Sequence, residues 1–237
     1  MPRLQSELQR LYAAPTAQSA GQGLAAHGAP VRVVVLSLAS PADWTLIARV
    51  WRGVQADLDL PAPAIAVSGV DGYQLYFSLA EPLAQPQALG FAQALQARYL
   101  GDVAQDRVGI ATPAFSNLPP RPTDEQEDHW SAFVAPDLAP VFTAEPWLDI
   151  PPSREGQADL LCRLQSIQSK DLATALAKLG VARLTPISPV TPMASSAASN
   201  DAANMDPERF LAQVMNDPSV AMALRIDAAK ALLQAKK

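Results

Sequence analysis

The chain has 237 residues, 49% of them hydrophobic, with a formal net charge of −5, 22 prolines and one cysteine. That length supports one sizeable core and a smaller appendage. The lone Cys162 excludes an intramolecular disulfide, and no apolar run reaches the ~20 residues of a membrane span. No Lys/Arg cluster offsets the acidic balance, and lysine first occurs at Lys170, so a strongly basic nucleic-acid-binding surface is not indicated. The polar start, MPRLQSELQRLYAAP, is unlike a secretory leader, and with the single thiol it points to the cytoplasm.

In chain order, Leu4, Leu8, Leu11 and Tyr12 predict an amphipathic helix over 3–13, followed by a Gly/Ala/Gln connection containing a solvated His27. The run VRVVVLSL, 31–38, has the composition of a central strand buried on both faces. Ser40-Pro41 then opens a helix as cap and first helical residue, with Trp44, Ile47, Trp51 and Val54 on one stripe. That helix ends in DLDLPAP.

The central feature is 64–77, AIAVSGVDGYQLYF, which reads as strand, glycine turn, strand, because Asp-Gly favours the positive φ of a tight hairpin. It is read either as a plain hairpin or as one whose Ser68-Gly69 mouth offers bare N–H groups to a phosphate. A helix over 86–99 follows (Leu89, Ala92, Leu95, Tyr99), then a short strand over 108–111 and an irregular loop over 113–122. TDEQEDHW, 123–130, reads as an exposed charged turn, since His129 among four carboxylates matches no metal-ligand spacing. EPWLDIPP, 145–152, reads as an extended linker, and 156–179 as a helical hairpin stopped by Gly180, with Cys162 a small buried hydrophobe on it.

Residues 184–205, rich in Pro, Ser, Ala and Asn, predict a disordered linker. A helical hairpin over 206–237 is expected to dock on its own core, on a copy of itself or on another protein. The predicted organisation is therefore an α+β protein, a small sheet with a central β-hairpin flanked by helices, divided into five parts. These are an N-terminal helix and connection (1–29), the core (30–122), an acidic loop and helical extension (123–183), the linker and the tethered hairpin. No Walker loop, Rossmann glycine fingerprint, zinc spacing or serine–histidine–aspartate order occurs.

The order strand, helix, glycine-turn hairpin, helix, strand over 30–122 resembles the catalytic core of archaeo-eukaryotic primases and primase-polymerases. That resemblance implies paired carboxylates ending the first strand, a hairpin reading Ser-Gly-x-Gly-x-His, and a later carboxylate completing a metal site. Here the matching residues are Leu36-Ser37-Leu38-Ala39, then Ser68-Gly69-Val70-Asp71-Gly72-Tyr73-Gln74, with Ile110-Ala111-Thr112-Pro113 through Asn117 in the later place. Ser37 and Ala39 replace the carboxylates and Gln74 replaces the histidine, so the hard oxygens that hold Mg²⁺ or Mn²⁺ are missing.

The resemblance thus implies a catalytically silent relative without a cofactor, in DNA replication or mobile-element biology. Its candidate phosphate-binding residues are Ser68, Gly69, Gly72, Gln74 and Arg107, and its candidate arginine groove is Arg98, Arg107 and Arg121. Two alternatives stand beside a nucleotide or nucleic-acid ligand. One is an active Mg²⁺- or Mn²⁺-dependent nucleotidyl transferase or nuclease using Asp57 and Asp59, a DxD pair facing one way on an extended segment, with Asp102. The other is a protein-interaction scaffold that captures a partner, or itself, through 206–237. The tail, FLAQVMNDPSVAMALRIDAAKALL, is also faintly similar to a helical segment of phage-packaging small subunits.

Overall fold

The computed structural model describes residues 2–13, 30–123 and 128–181. These belong to one compact unit, Met1–Ile187; the second, Ser188–Lys237, lies outside the described residues. The expected linker and C-terminal hairpin therefore also lie outside them, as do His27 and the acidic residues 124–127.

The protein is α+β, with five α-helices and a curled six-stranded antiparallel sheet among the described residues. The strands are β1 (Pro30–Leu38), β2 (Ala64–Val67), β3 (Tyr73–Ala84), β4 (Val108–Ala111), β5 (Arg121–Pro122) and β6 (Trp130–Val134). The helices are α1 (Arg3–Tyr12), α2 (Trp44–Ala56), α3 (Gln85–Tyr99), α4 (Arg154–Leu161) and α5 (Ser169–Lys178). Strand order is β4-β1-β3-β2-β6-β5. The first four strands with α2 and α3 form a split βαβ, or ferredoxin-like, arrangement, in which β3 inserts between β1 and β2.

The period of two along each strand explains the layers. Val34, Leu36 and Leu38 of β1 share one face with Ile65, Val67, Leu75 and Phe77, against α2 and α3. Val33 and Val35 share the other with Ala66, Tyr76 and Phe133, against α1 and α4. Both faces are apolar, so both must be covered. On the first, Phe91 of α3 meets Phe77 edge-on at 5.7 Å. On the second, Tyr12 of α1 stacks over Phe133 at 6.4 Å and leans on Tyr76 at 6.1 Å.

Helix α2 opens later than Ser40-Pro41 suggests. Its cap is Asp43, whose Oδ1 accepts from the N–H groups of Thr45 (2.8 Å) and Leu46 (3.3 Å). Ser40–Pro41 is a cis peptide in the preceding loop. Strand β3 runs on through Glu81 and Pro82 because, after a register shift, its last residues still pair with Pro30 and Val31.

The region after residue 122 is part of the core. β6, which no sequence signal marks, pairs with β2 from Ile65↔Val134 to Val67↔Ala132. On its other side β5 ends early, and the buried Gln157 of α4 takes the place of a strand. Its Oε1 accepts from the Phe133 N–H and its Nε2 donates to the Phe133 carbonyl, both at 2.8 Å. The predicted linker 145–152 lies along this strand, with Leu148 bridged to Trp130.

The predicted helical hairpin is instead two helices on opposite faces of the sheet. Leu161 of α4 packs with α1, whereas Leu172 and Leu176 of α5 join the α2–α3 side. The connection pairs with β3 just beyond the start of β2: the Ile167 N–H donates to the Ser78 carbonyl and the Ile167 carbonyl accepts from the Ala80 N–H. Gly180, at φ +71°, closes α5, with the Val181 N–H reaching back to the Leu176 carbonyl as in a Schellman motif. Cys162 is exposed at the end of α4 rather than buried.

Arginine side chains fasten the second layer, and Arg3 of α1 pairs with Asp159 of α4 at 2.6 Å. Arg32 donates to the carbonyls of Leu79 (2.9 Å), Ala13 (2.9 Å) and Arg10 (3.3 Å), capping the end of α1. Arg10 in turn donates to the carbonyls of Leu161 (2.9 Å) and Leu164 (3.0 Å) at the end of α4.

No described helix is long and apolar enough to cross a membrane.

Replacing Gln157 by Met leaves a buried N–H and a buried C=O of Phe133 unpaired, at about 1–3 kcal/mol each. Urea denaturation should show that loss at every pH. Gln157→Glu keeps the acceptor but sets a carboxylate against the Phe133 carbonyl. Burial and that carbonyl raise its folded pKa, so its stability should recover as pH falls through the mildly acidic range, where the carboxyl regains a donor.

Candidate functional site

Two positions singled out by the primase resemblance, Ser37 and Gln74, meet at one end of the sheet, with Gly109 beside them. Ser37 of β1 pairs across to Gln74 of β3 on one side and to Gly109 of β4 on the other. By alternation all three lie on the face opposite α2 and α3. Ser37 and Gln74 are half-buried and Gly109 is exposed. Gln74 Oε1 accepts from the Tyr76 hydroxyl at 2.8 Å, and burial raises the pKa of that phenol, which stays protonated as a donor. Gly109 lets the Ser37 hydroxyl lie over its backbone, since a Cβ there would meet that hydroxyl unless it rotated away. A hydroxyl, an amide and bare backbone therefore occupy the row; no carboxylate does.

The adjoining hairpin turn is closed on itself. Ser68 Oγ accepts from the N–H groups of Val70 (3.1 Å), Asp71 (2.9 Å) and Gly72 (2.9 Å). The Ser68 N–H donates to the Gly72 carbonyl at 2.8 Å and the Gly69 N–H to the Pro146 carbonyl at 2.9 Å. Each N–H from Ser68 to Gly72 thus has an acceptor within the protein, and none is left pointing at an external anion. Gly69 and Gly72 serve packing. Gly69 has φ +85° with Thr123 where a Cβ would sit, and a Cβ on Gly72 would strike the Leu38 carbonyl.

The arginines expected to line a groove are dispersed. Arg98 lies on α3, with its guanidinium 3.6 Å from Asp57 and over the Tyr99 ring. Arg107, leading into β4, donates to the Pro41 carbonyl at 2.7 Å, while its buried Nε has no hydrogen-bond partner. Arg121 is in β5, at the opposite edge. Six strands at ~4.8 Å spacing put those edges on the order of 20 Å apart.

The alternative carboxylates are not brought together either. Asp57, at the α2 C-terminus, accepts from the Tyr99 hydroxyl at 3.1 Å, and Asp59 pairs with Lys178 at 2.5 Å. The segment between them is not extended, because Asp57 is helical and Asp59 has φ +57°, so the two side chains do not face one way. Asp102 pairs with Arg49 at 2.8 Å, which holds its carboxyl below the usual range. All three belong to the α2–α3 side, across the sheet from Ser37 and Gln74. Among the described residues no group of three or more His, Cys, Asp or Glu side chains is placed to hold a metal ion.

One feature near the hairpin escapes sequence reasoning: His129 stacks on Trp147, 4.3 Å apart at 10°. The Trp130–Leu148 bridge beside them brings the two rings together.

Ser68→Ala should cost about 1–2 kcal/mol in chemical denaturation, since water can take over part of the exposed turn. Gly72→Ala should cost about 3 kcal/mol or more, because the obstacle is backbone rather than a movable side chain. No protein-family model matches the chain, and no curated protein matches it.

Proposed function

We propose that this chain is a catalytically degenerate primase-polymerase-like protein that acts as an adaptor in DNA replication or mobile-element biology. The observation that carries the reading is the Ser37–Gln74 cross-strand pair. On the resemblance, carboxylates and a histidine would grip the catalytic cations there; neutral groups stand in their place. Two-metal phosphoryl transfer needs anionic oxygens within a few ångströms of each other.

Contact through protein surfaces is favoured over capture of a nucleotide or nucleic acid. The turn amides are already engaged, the arginines are scattered, and the chain carries −5 overall. Phosphate recognition needs converging donors and positive charge. What remains exposed includes large apolar side chains, among them Leu138 and Val141, three residues apart on a 3₁₀ turn and so on one face.

Nucleotidyl transfer on a primed template, assayed with Mn²⁺ and with Mg²⁺, should stay at background for the wild type and for Asp57→Ala/Asp59→Ala/Asp102→Ala alike. Activity in the wild type that the triple variant loses would establish the metal-dependent alternative. In fluorescence anisotropy a single-stranded oligonucleotide should bind no tighter than the ~10⁻⁴ M of weak non-specific contact. Tighter binding that weakens steeply with salt would restore the nucleic-acid reading.

A further inference from the structure

We infer that β4 is a self-association edge, through which two copies of this chain join their sheets about a two-fold axis. β4 is the last strand on its side of the sheet, and no described strand lies beyond it. Its register fixes which backbone groups are free to pair. The Ala39 N–H donates to the Arg107 carbonyl, and the same register carries through Ser37↔Gly109 and Val35↔Ala111. In an antiparallel ladder those alternate pairs exchange hydrogen bonds, so the N–H and C=O of Ile110 and the C=O of Val108 point away from β1, toward the open edge, while the Val108 N–H is held by the Gln105 carbonyl.

Beside that edge, between α3 and β4, runs an open groove of about 500 Å³. Its floor is Leu100, Val108 and Ile110, its polar rim is Gln93, Gln96 and Gln105, and no charged residue lines it.

Three properties identify the occupant as a second copy. A short antiparallel edge is complementary to itself about a two-fold axis, because each donor then meets the partner's acceptor. A glutamine amide both donates and accepts, so a rim of three also satisfies its own copy. A chain of net charge −5 repels itself over most of its surface, yet this strip brings no like charges together, while a basic or acidic partner would find no counter-charge on it. The association is also closed. The opposite edge is only Arg121–Pro122, and proline has no N–H to extend a ladder. This inference does not rest on the adaptor reading, since an active enzyme would carry the same edge.

Sedimentation of the full chain from about 1 µM to about 100 µM should show a monomer–dimer equilibrium. Gln93→Glu/Gln105→Glu, at two exposed positions, should weaken it at least about tenfold by setting like charges across the axis, with the melting temperature unchanged. Amide exchange at Ile110 should slow as protein concentration rises in the wild type and not in the variant. A monomer at every concentration would overturn the inference. So would a dimer that the two charges leave intact, because its contact would lie elsewhere, or a monomer that pairs this edge only with an added extended peptide.

Discussion

The constraint from which the rest follows is the antiparallel pairing of β1 with β3, two strands with apolar side chains on both faces. Such a pair cannot leave either face in water, so the fold needs a helical layer on each side. The first layer is local: α2 and α3 lie between the strands they cover, and hydrophobic stripes at helical spacing bring them down. The second is assembled from the two ends of the described chain, with α1 arriving before β1 and α4 after β6. Its helices are short, and apolar contact alone gives them little orientation. Arg32, Arg10 and Gln157 supply it, each saturating backbone groups that a helix end or a strand edge leaves unpaired.

This division explains what could be read in the sequence. The α+β class, β1, the central hairpin, α3 and β4 follow from period, turn chemistry and strand composition, which are local. The start of α2 differs from the sequence expectation because Ser40-Pro41 has the composition of a cap, while Asp43, three residues on, has the geometry. β6 escaped because five residues after an acidic stretch carry little signal, and its outer edge is satisfied by a glutamine 24 residues from Phe133. The helices α4 and α5 were each visible from their leucines. Their separation to opposite faces was not, because it depends on Ile167 pairing with Leu79 in the middle of β3.

The candidate site shows the same limit. The resemblance sets Ser37 and Gln74 where a carboxylate and a histidine are expected; that they are cross-strand neighbours is not legible in the sequence, since register is a long-range property. The phosphate reading of Ser68-Gly69 assumed free amides, but the serine's own hydroxyl turns back and occupies them, a common use of serine in turns. The DxD reading of Asp57 and Asp59 assumed extended backbone, and the left-handed conformation of Asp59 removes that assumption.

The guanidinium-to-carbonyl bonds of the second layer have one more consequence. A carbonyl does not ionise, and an arginine, even one whose pKa is lowered by desolvation as at Arg32, keeps its proton in any buffer a cell provides. Such contacts join a charge to a dipole, so dissolved electrolyte screens them less than it screens paired surface ions. These bonds between the N-terminal helix and α4 should therefore hold through acid stress and changing osmolarity alike, while the exposed Arg3–Asp159 ion pair across the same junction weakens with salt.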